Sequence, residues 1–144
     1  MKRIFTLSAI VLFVSALLTS CYKDGGYYHD DGPNESYWLS KEQGEVVYAD
    51  DYCEYFVVET YYGYTIIRSY GNYKPYEGDL LYGNFSSRGS RDMYNYSART
   101  VFTGTVTDYW LSYNEALDAL DYYCPVGKGL TRTFKTATKI QKKQ

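Results

Sequence analysis

Hydrolases and transferases need a positioned nucleophile, an acid–base pair or a metal, and this chain is sparing with all three. Its one histidine, His29, lies between Tyr28 and Asp30 in a polar stretch and reads as solvated. That leaves no histidine for a Ser-His-Asp or Cys-His arrangement further along the chain. Glu54, Glu59, Glu77, Asp79 and Asp108 are of the type that cleaves glycosides in pairs, yet no spacing sets two of them about a cleft. They read as solvated acids on a small sheet. No glycine loop follows a strand and opens a helix as a phosphate cradle does. With one His and no close Cys pair, no metal and no cofactor is expected. What the chain has in excess is tyrosine, 20 of 144 residues. A flat apolar ring with a polar tip suits sugar rings and protein interfaces. Tyr61, Tyr62, Tyr64, Tyr73, Tyr76 and Trp110 are the candidate ligand contacts, with Tyr70, Tyr82 and Trp38 near them in type. The competing reading is structural, because tyrosine is a favoured strand residue and half-buried rings seal small sheets.

The three cysteines divide by context. Lys2 and Arg3 precede an apolar run from Ile4 to Leu18, and Leu18-Thr19-Ser20-Cys21 closes it. Charged start, short apolar middle and small-residue end are the order of a secretory signal. The run is shorter than the roughly 20 residues of a spanning helix. Ending in Leu-x-Ser-Cys, the segment resembles a bacterial lipoprotein signal. That resemblance implies removal of residues 1–20 and lipidation of Cys21, with the mature protein anchored by a diacylglycerol and often a third acyl group. More than one chain is what stable attachment requires. Lys23-Asp24 is similar to the surface-export signal of Bacteroidota lipoproteins, with one acid where that signal has two. Tyr22, not Asp, stands at the second mature position, against the inner-membrane retention rule of enteric lipoproteins. The expected site is the cell envelope, at the outer membrane, with surface exposure as the further expectation.

Setting Cys21 aside leaves Cys53 and Cys124, an even pair, which in an exported protein predicts a disulfide. Closing so long a loop corresponds to about 4 kcal/mol in the chain-entropy account. Charge is split as well. Between Cys21 and Cys124 seven basic residues face all 17 acids, whereas residues 126–144 carry six basic residues and no acid. An acidic body is not a nucleic-acid surface. The basic tail reads as a solvated terminus, with contact to an anionic surface, or an edge strand over Leu130–Ile140, as alternatives.

These groups need elements to position them. Residues 21–36 are rich in Gly, Asp and other polar types and read as a flexible tether. From Val46 onward short β-type runs alternate with turn signals: Tyr55–Thr60, Tyr64–Tyr70 after Gly63, Leu80–Phe85, Met93–Tyr96 and Thr100–Tyr109. Glycines inside strands, such as Gly83 and Gly104, mark a sheet that curls. Ser112-Tyr-Asn-Glu115 is a capping box opening a helix over about 112–124. Tyr113, Ala116, Leu117, Leu120 and Tyr123 fall on one face, and Pro125 ends it. The fold expected over 37–125 is a small closed or partly open antiparallel β-barrel, OB-like or SH3-like, with one C-terminal helix, followed by the tail at 126–144. GDLLYGNF, YNYS and VTDYWLSYNEAL with a closing Cys are similar to segments of small exported Bacteroidota proteins, a resemblance that brings no activity. The expected role is a non-catalytic binding or structural module with a tyrosine-rich face, its partners the membrane through the lipid and an envelope protein or glycan. A glycan-binding or lysozyme-inhibitor-like envelope protein is the alternative, and a carboxylate-based glycoside hydrolase stands behind it.

Overall fold

Val46-Val47-Tyr48, Phe56-Val57-Val58 and Ile66-Ile67 are consecutive apolar residues, and consecutive residues of a strand point to opposite faces. Such runs demand cover on both sides of the sheet. The computed structural model, which describes residues 32–125 and 132–140, supplies both covers. The signal segment, Cys21, His29 and the tether up to residue 31 lie outside the described residues.

Six strands carry the fold: β1 (Glu42–Ala49), β2 (Tyr55–Thr60), β3 (Gly63–Ser69), β4 (Leu80–Gly83), β5 (Gly89–Asn95) and β6 (Thr100–Leu111). A short helix α1 (Glu35–Leu39) precedes them and α2 (Tyr113–Tyr123) follows. All pairings are antiparallel, and the order β1-β2-β3-β6-β5-β4 closes on itself through β1 and β4. The fold is thus the mainly β, closed barrel with a C-terminal helix that the strand spacing predicts. It consists of two three-stranded meanders joined along both edges. α1 begins inside the stretch expected to be tether, capped by Asn34, whose side chain accepts from Tyr37 N–H.

Val46, Phe56, Val58, Ile67, Leu81, Met93 and Phe102 fill the barrel. Gly44 and Gly104 face the same interior. A Cβ on Gly44 would stand 2.3 Å from Val58 Cγ1, and one on Gly104 2.9 Å from Ile67 Cγ2. Their bare backbones are what lets so narrow a barrel close. The second cluster lies outside the first meander. Val47, Val57 and Ile66 pack there against Ala116 and Leu120 of α2 and against Phe134. A bulge places an extra residue between Val46 and Tyr48, so Val47 and Tyr48 both turn outward while Ala49 returns to the interior cluster.

α2 is built as its sequence requires. Ser112 Oγ caps Glu115 N–H while the Glu115 carboxylate accepts from Ser112 N–H, at 2.8 Å. Its end is tied down by the Cys53–Cys124 disulfide, with Cα atoms 5.8 Å apart. The basic tail is not a loose end over residues 132–140, nor an edge strand. It crosses the second cluster as an irregular strap. Phe134 is buried, Lys135 N–H donates to the Val47 carbonyl, and Thr138 and Lys139 N–H donate to the buried Glu45 carboxylate at 2.8 and 2.6 Å.

Gly44→Ala should lower stability by about 1–3 kcal/mol, the usual cost of overpacking a closed core. Urea unfolding of the two proteins measures this. A midpoint unchanged at equal slope would mean that β1 does not approach β2 as described.

Candidate functional site

Register decides which aromatic residues can meet. Gly44 pairs with Thr60 and Gln43 with Tyr82, while Tyr64 pairs with Leu111. The start of β1, the β2–β3 turn, the end of β4 and the end of β6 therefore share one rim. On that rim stand Tyr61, Tyr62 and Trp110, 54, 58 and 57 % exposed. The Tyr61 and Tyr62 ring centroids are 5.2 Å apart, edge to face, and Tyr62 and Trp110 are 5.9 Å apart at 45°.

The turn is closed by Gly63 at φ +122, where a Cβ would come within 2.6 Å of the Leu111 carbonyl oxygen. Only glycine permits that approach. Across from it β6 carries irregular pairing, and Trp110 sits at φ +59. A bulky residue in the left-handed region costs of order 1–3 kcal/mol and persists only where its surroundings hold it. The indole is tied down as well. Trp110 Nε1 donates to Ser86 Oγ at 2.9 Å, and Ser86 Oγ donates to Glu42 Oε2 at 2.9 Å. Phe85 N–H donates to the same oxygen at 3.1 Å. Glu42 Oε1 is shielded and has no donor. Beside the rings runs a groove of about 480 Å³ lined by Leu39, Ser40, Lys41, Glu42, Gln43, Tyr61, Tyr62 and Tyr82.

The other candidates from the sequence go elsewhere. Tyr64 lies half-buried on the outer face, its ring 5.6 Å from Phe134 and 5.8 Å from Tyr113. Tyr73 packs on the barrel core at the opposite end, 5.0 Å from Phe102, and its hydroxyl accepts from Asn95 Nδ2 at 2.8 Å. Tyr76 is exposed on the β3–β4 loop, and its amide donates to Asp79. Hence Tyr61, Tyr62 and Trp110 form one surface, Tyr64 and Tyr73 serve the core, and Tyr76 stands apart. Tyr82, Glu42 and Gln43 join the groove through strand pairing, which no local pattern in the chain announces.

The carboxylates singled out by type all have structural partners. Glu54 pairs with Arg68 at 2.8 Å, and Asp108 with Arg88 and the Tyr123 hydroxyl, both at 2.7 Å. Glu59 accepts from Ala137 N–H, Glu77 pairs with Lys135, and Asp79 accepts from Asn95. A second hollow of about 420 Å³ at the far end is lined by Tyr52, Glu54, Arg68, Tyr70 and Lys74, with the Arg68–Glu54 pair inside it. Lys74 Nζ there donates to the Cys53 carbonyl at 2.8 Å, fixing the approach to the disulfide. Among the described residues no cluster of three or more His, Cys, Asp or Glu could hold a metal.

Comparison with protein-family models, with curated proteins and with solved structures finds no match for this chain.

Burial pushes the phenols of Tyr64 and Tyr73 above the ordinary value of 10.0, and the nearby Glu59 charge adds to the effect at Tyr64. A raised folded value favours the folded state below the unfolded value, and that gain is lost as pH rises through the folded one. Stability should therefore fall as pH climbs past about 10, the free phenol range. In an ultraviolet phenolate titration, Tyr64→Phe and Tyr73→Phe should each remove a late-ionising phenol. Loss of an early-ionising one instead would place that ring in water.

Proposed function

We propose that this protein is an exported, lipid-anchored, non-catalytic binding module that meets its partner through the Tyr61–Tyr62–Trp110 rim. The observation that carries the reading is that these rings are exposed yet partnered. Trp110 has a left-handed backbone, its indole N–H is bonded to Ser86, and Tyr62 leans against it. Exposed aromatic rings held rigid lose little entropy on contact, which is the property of an anchor residue at an interface.

Three further features support the reading. The Cys53–Cys124 disulfide suits an oxidising compartment, as export through a lipoprotein-type signal requires. The acids best placed by type for hydrolysis are engaged as ion-pair and amide partners, which suits a scaffold better than an acid–base pair. The apolar run Ile4–Leu18 closed by Leu18-Thr19-Ser20-Cys21 makes Cys21 the attachment point we assign. The lipid would hold the barrel at the outer membrane, facing the exterior.

Cys21→Ala should abolish incorporation of labelled palmitate and move the protein out of the membrane pellet. A variant that stays in the pellet and still takes up palmitate would overturn the anchor. Protease added to intact cells should degrade the wild-type protein if the barrel faces outward, and should spare it if it faces the periplasm.

A further inference from the structure

We infer that the rim groove is a subsite for a neutral sugar chain, with successive pyranose rings packed on Tyr62 and on Trp110. This rests on the binding-module reading above and names its ligand class. A pyranose has apolar C–H faces and a rim of hydroxyls. The site offers the complement in the same order: ring faces at the surface and polar groups in the groove beside them.

The polar part decides the charge of the ligand. Lys41 and Glu42 are sequence neighbours and both line the groove, so their formal charges cancel. An anionic chain would meet Glu42, and a cationic one Lys41. Glu42 itself is half-used. Its Oε2 takes two donors, from Phe85 N–H and Ser86 Oγ, while Oε1 is out of water and has none. With Oε1 shielded and Oε2 shared by two donors, Glu42 acts through Ser86, which takes the Trp110 indole N–H and so sets that ring. The polar groups we assign to sugar hydroxyls are those of Ser40 and Gln43, which line the same groove.

Shape supports a chain over a flat partner. The groove's volume, about 480 Å³, lies in the range of small-ligand sites, roughly 300–1,000 Å³. The exposed rings form its border and extend past it toward Trp110, so a linear oligosaccharide can occupy the groove with one ring and stack with the next.

The test is calorimetry and tryptophan fluorescence on the purified full chain with cellohexaose, xylohexaose, laminarihexaose and mannohexaose. At least one should bind saturably and shift the tryptophan emission. Tyr62→Ala and Trp110→Ala should each weaken that binding by about tenfold or more, the loss of a well-packed aromatic contact. Glu42→Gln should weaken it as well, and Tyr122→Ala, an exposed ring on α2, should leave it unchanged. Thermal melts confirm that each variant is folded. Failure of all four sugars, or binding indifferent to Tyr62 and Trp110, overturns the inference. A photo-crosslinker at position 62 in intact cells separates the two readings. Capture of a protein with no sugar binding removes the sugar and keeps the module, and the absence of both sugar binding and capture removes both.

Discussion

The first meander is buried on both faces, and the rest of the molecule is arranged by that demand. Val46, Phe56, Val58 and Ile67 point into the barrel, while Val47, Val57 and Ile66 point out of it. Each fully buried aliphatic side chain contributes about 1.5–3 kcal/mol relative to exposure. A small barrel alone would leave the outward set in water. α2 and the strap cover it, and both are fastened where they land. The disulfide spans 71 residues of sequence, enough for a closure contribution of about 4 kcal/mol in the chain-entropy account. The bulge at Val47 serves the same end, since it gives the outer layer two consecutive residues and leaves the Val47 carbonyl free for the strap.

The split of charge along the chain has its explanation in the strap. Arg132 reaches Asp121 at 3.0 Å and Lys135 reaches Glu77 at 2.7 Å, so tail cations answer body acids within one molecule. Lys135 is exposed, and an exposed pair is worth about 0–1 kcal/mol, so it guides the strap without holding it. The Arg132 side chain is buried, donates also to the Leu120 carbonyl at 3.3 Å and lies over the Tyr48 ring, so it fastens the start of the strap. The weight falls on Phe134, buried among Tyr48, Tyr64 and Tyr113, and on Glu45, whose carboxylate accepts two strap amides. Half-buried tyrosines thus do at the seam what aliphatic residues do in the core.

Much of this was legible in the chain. The apolar runs mark β2 and β3, the Ser112–Glu115 box marks the start of α2, and the even cysteine pair marks the disulfide. What was hidden depended on pairing. Glu42-Gln43-Gly44-Glu45 has no strand signature of its own and becomes the start of β1 only because β2 and β4 flank it. The Thr- and Lys-rich tail looks solvated until Glu45 is seen to need its amides. Seven tyrosines between residues 61 and 82 look alike in sequence. Place relative to the turn separates them: Tyr62 is exposed on the β2–β3 turn, whereas Tyr64 lies inside β3 against Phe134 of the strap. Trp110 was recognisable as an anchor by type, whereas its left-handed backbone and its link to Glu42 were not.

The rim follows from the same constraint. With the outer face of the first meander covered, the β2–β3 turn reaches past that cover into water at one end of the barrel, and its aromatic residues are carried by strands packed on both faces. Native-state hydrogen exchange tests this directly. Amides of Phe56–Val58 and of Ile66 and Ile67 should be the slowest in the protein, opening only with global unfolding, and those of the short strand β4 should exchange faster. Exchange of β2 and β3 at or above the rate of β4 would contradict the two-sided burial on which the barrel, the strap and the rim all depend.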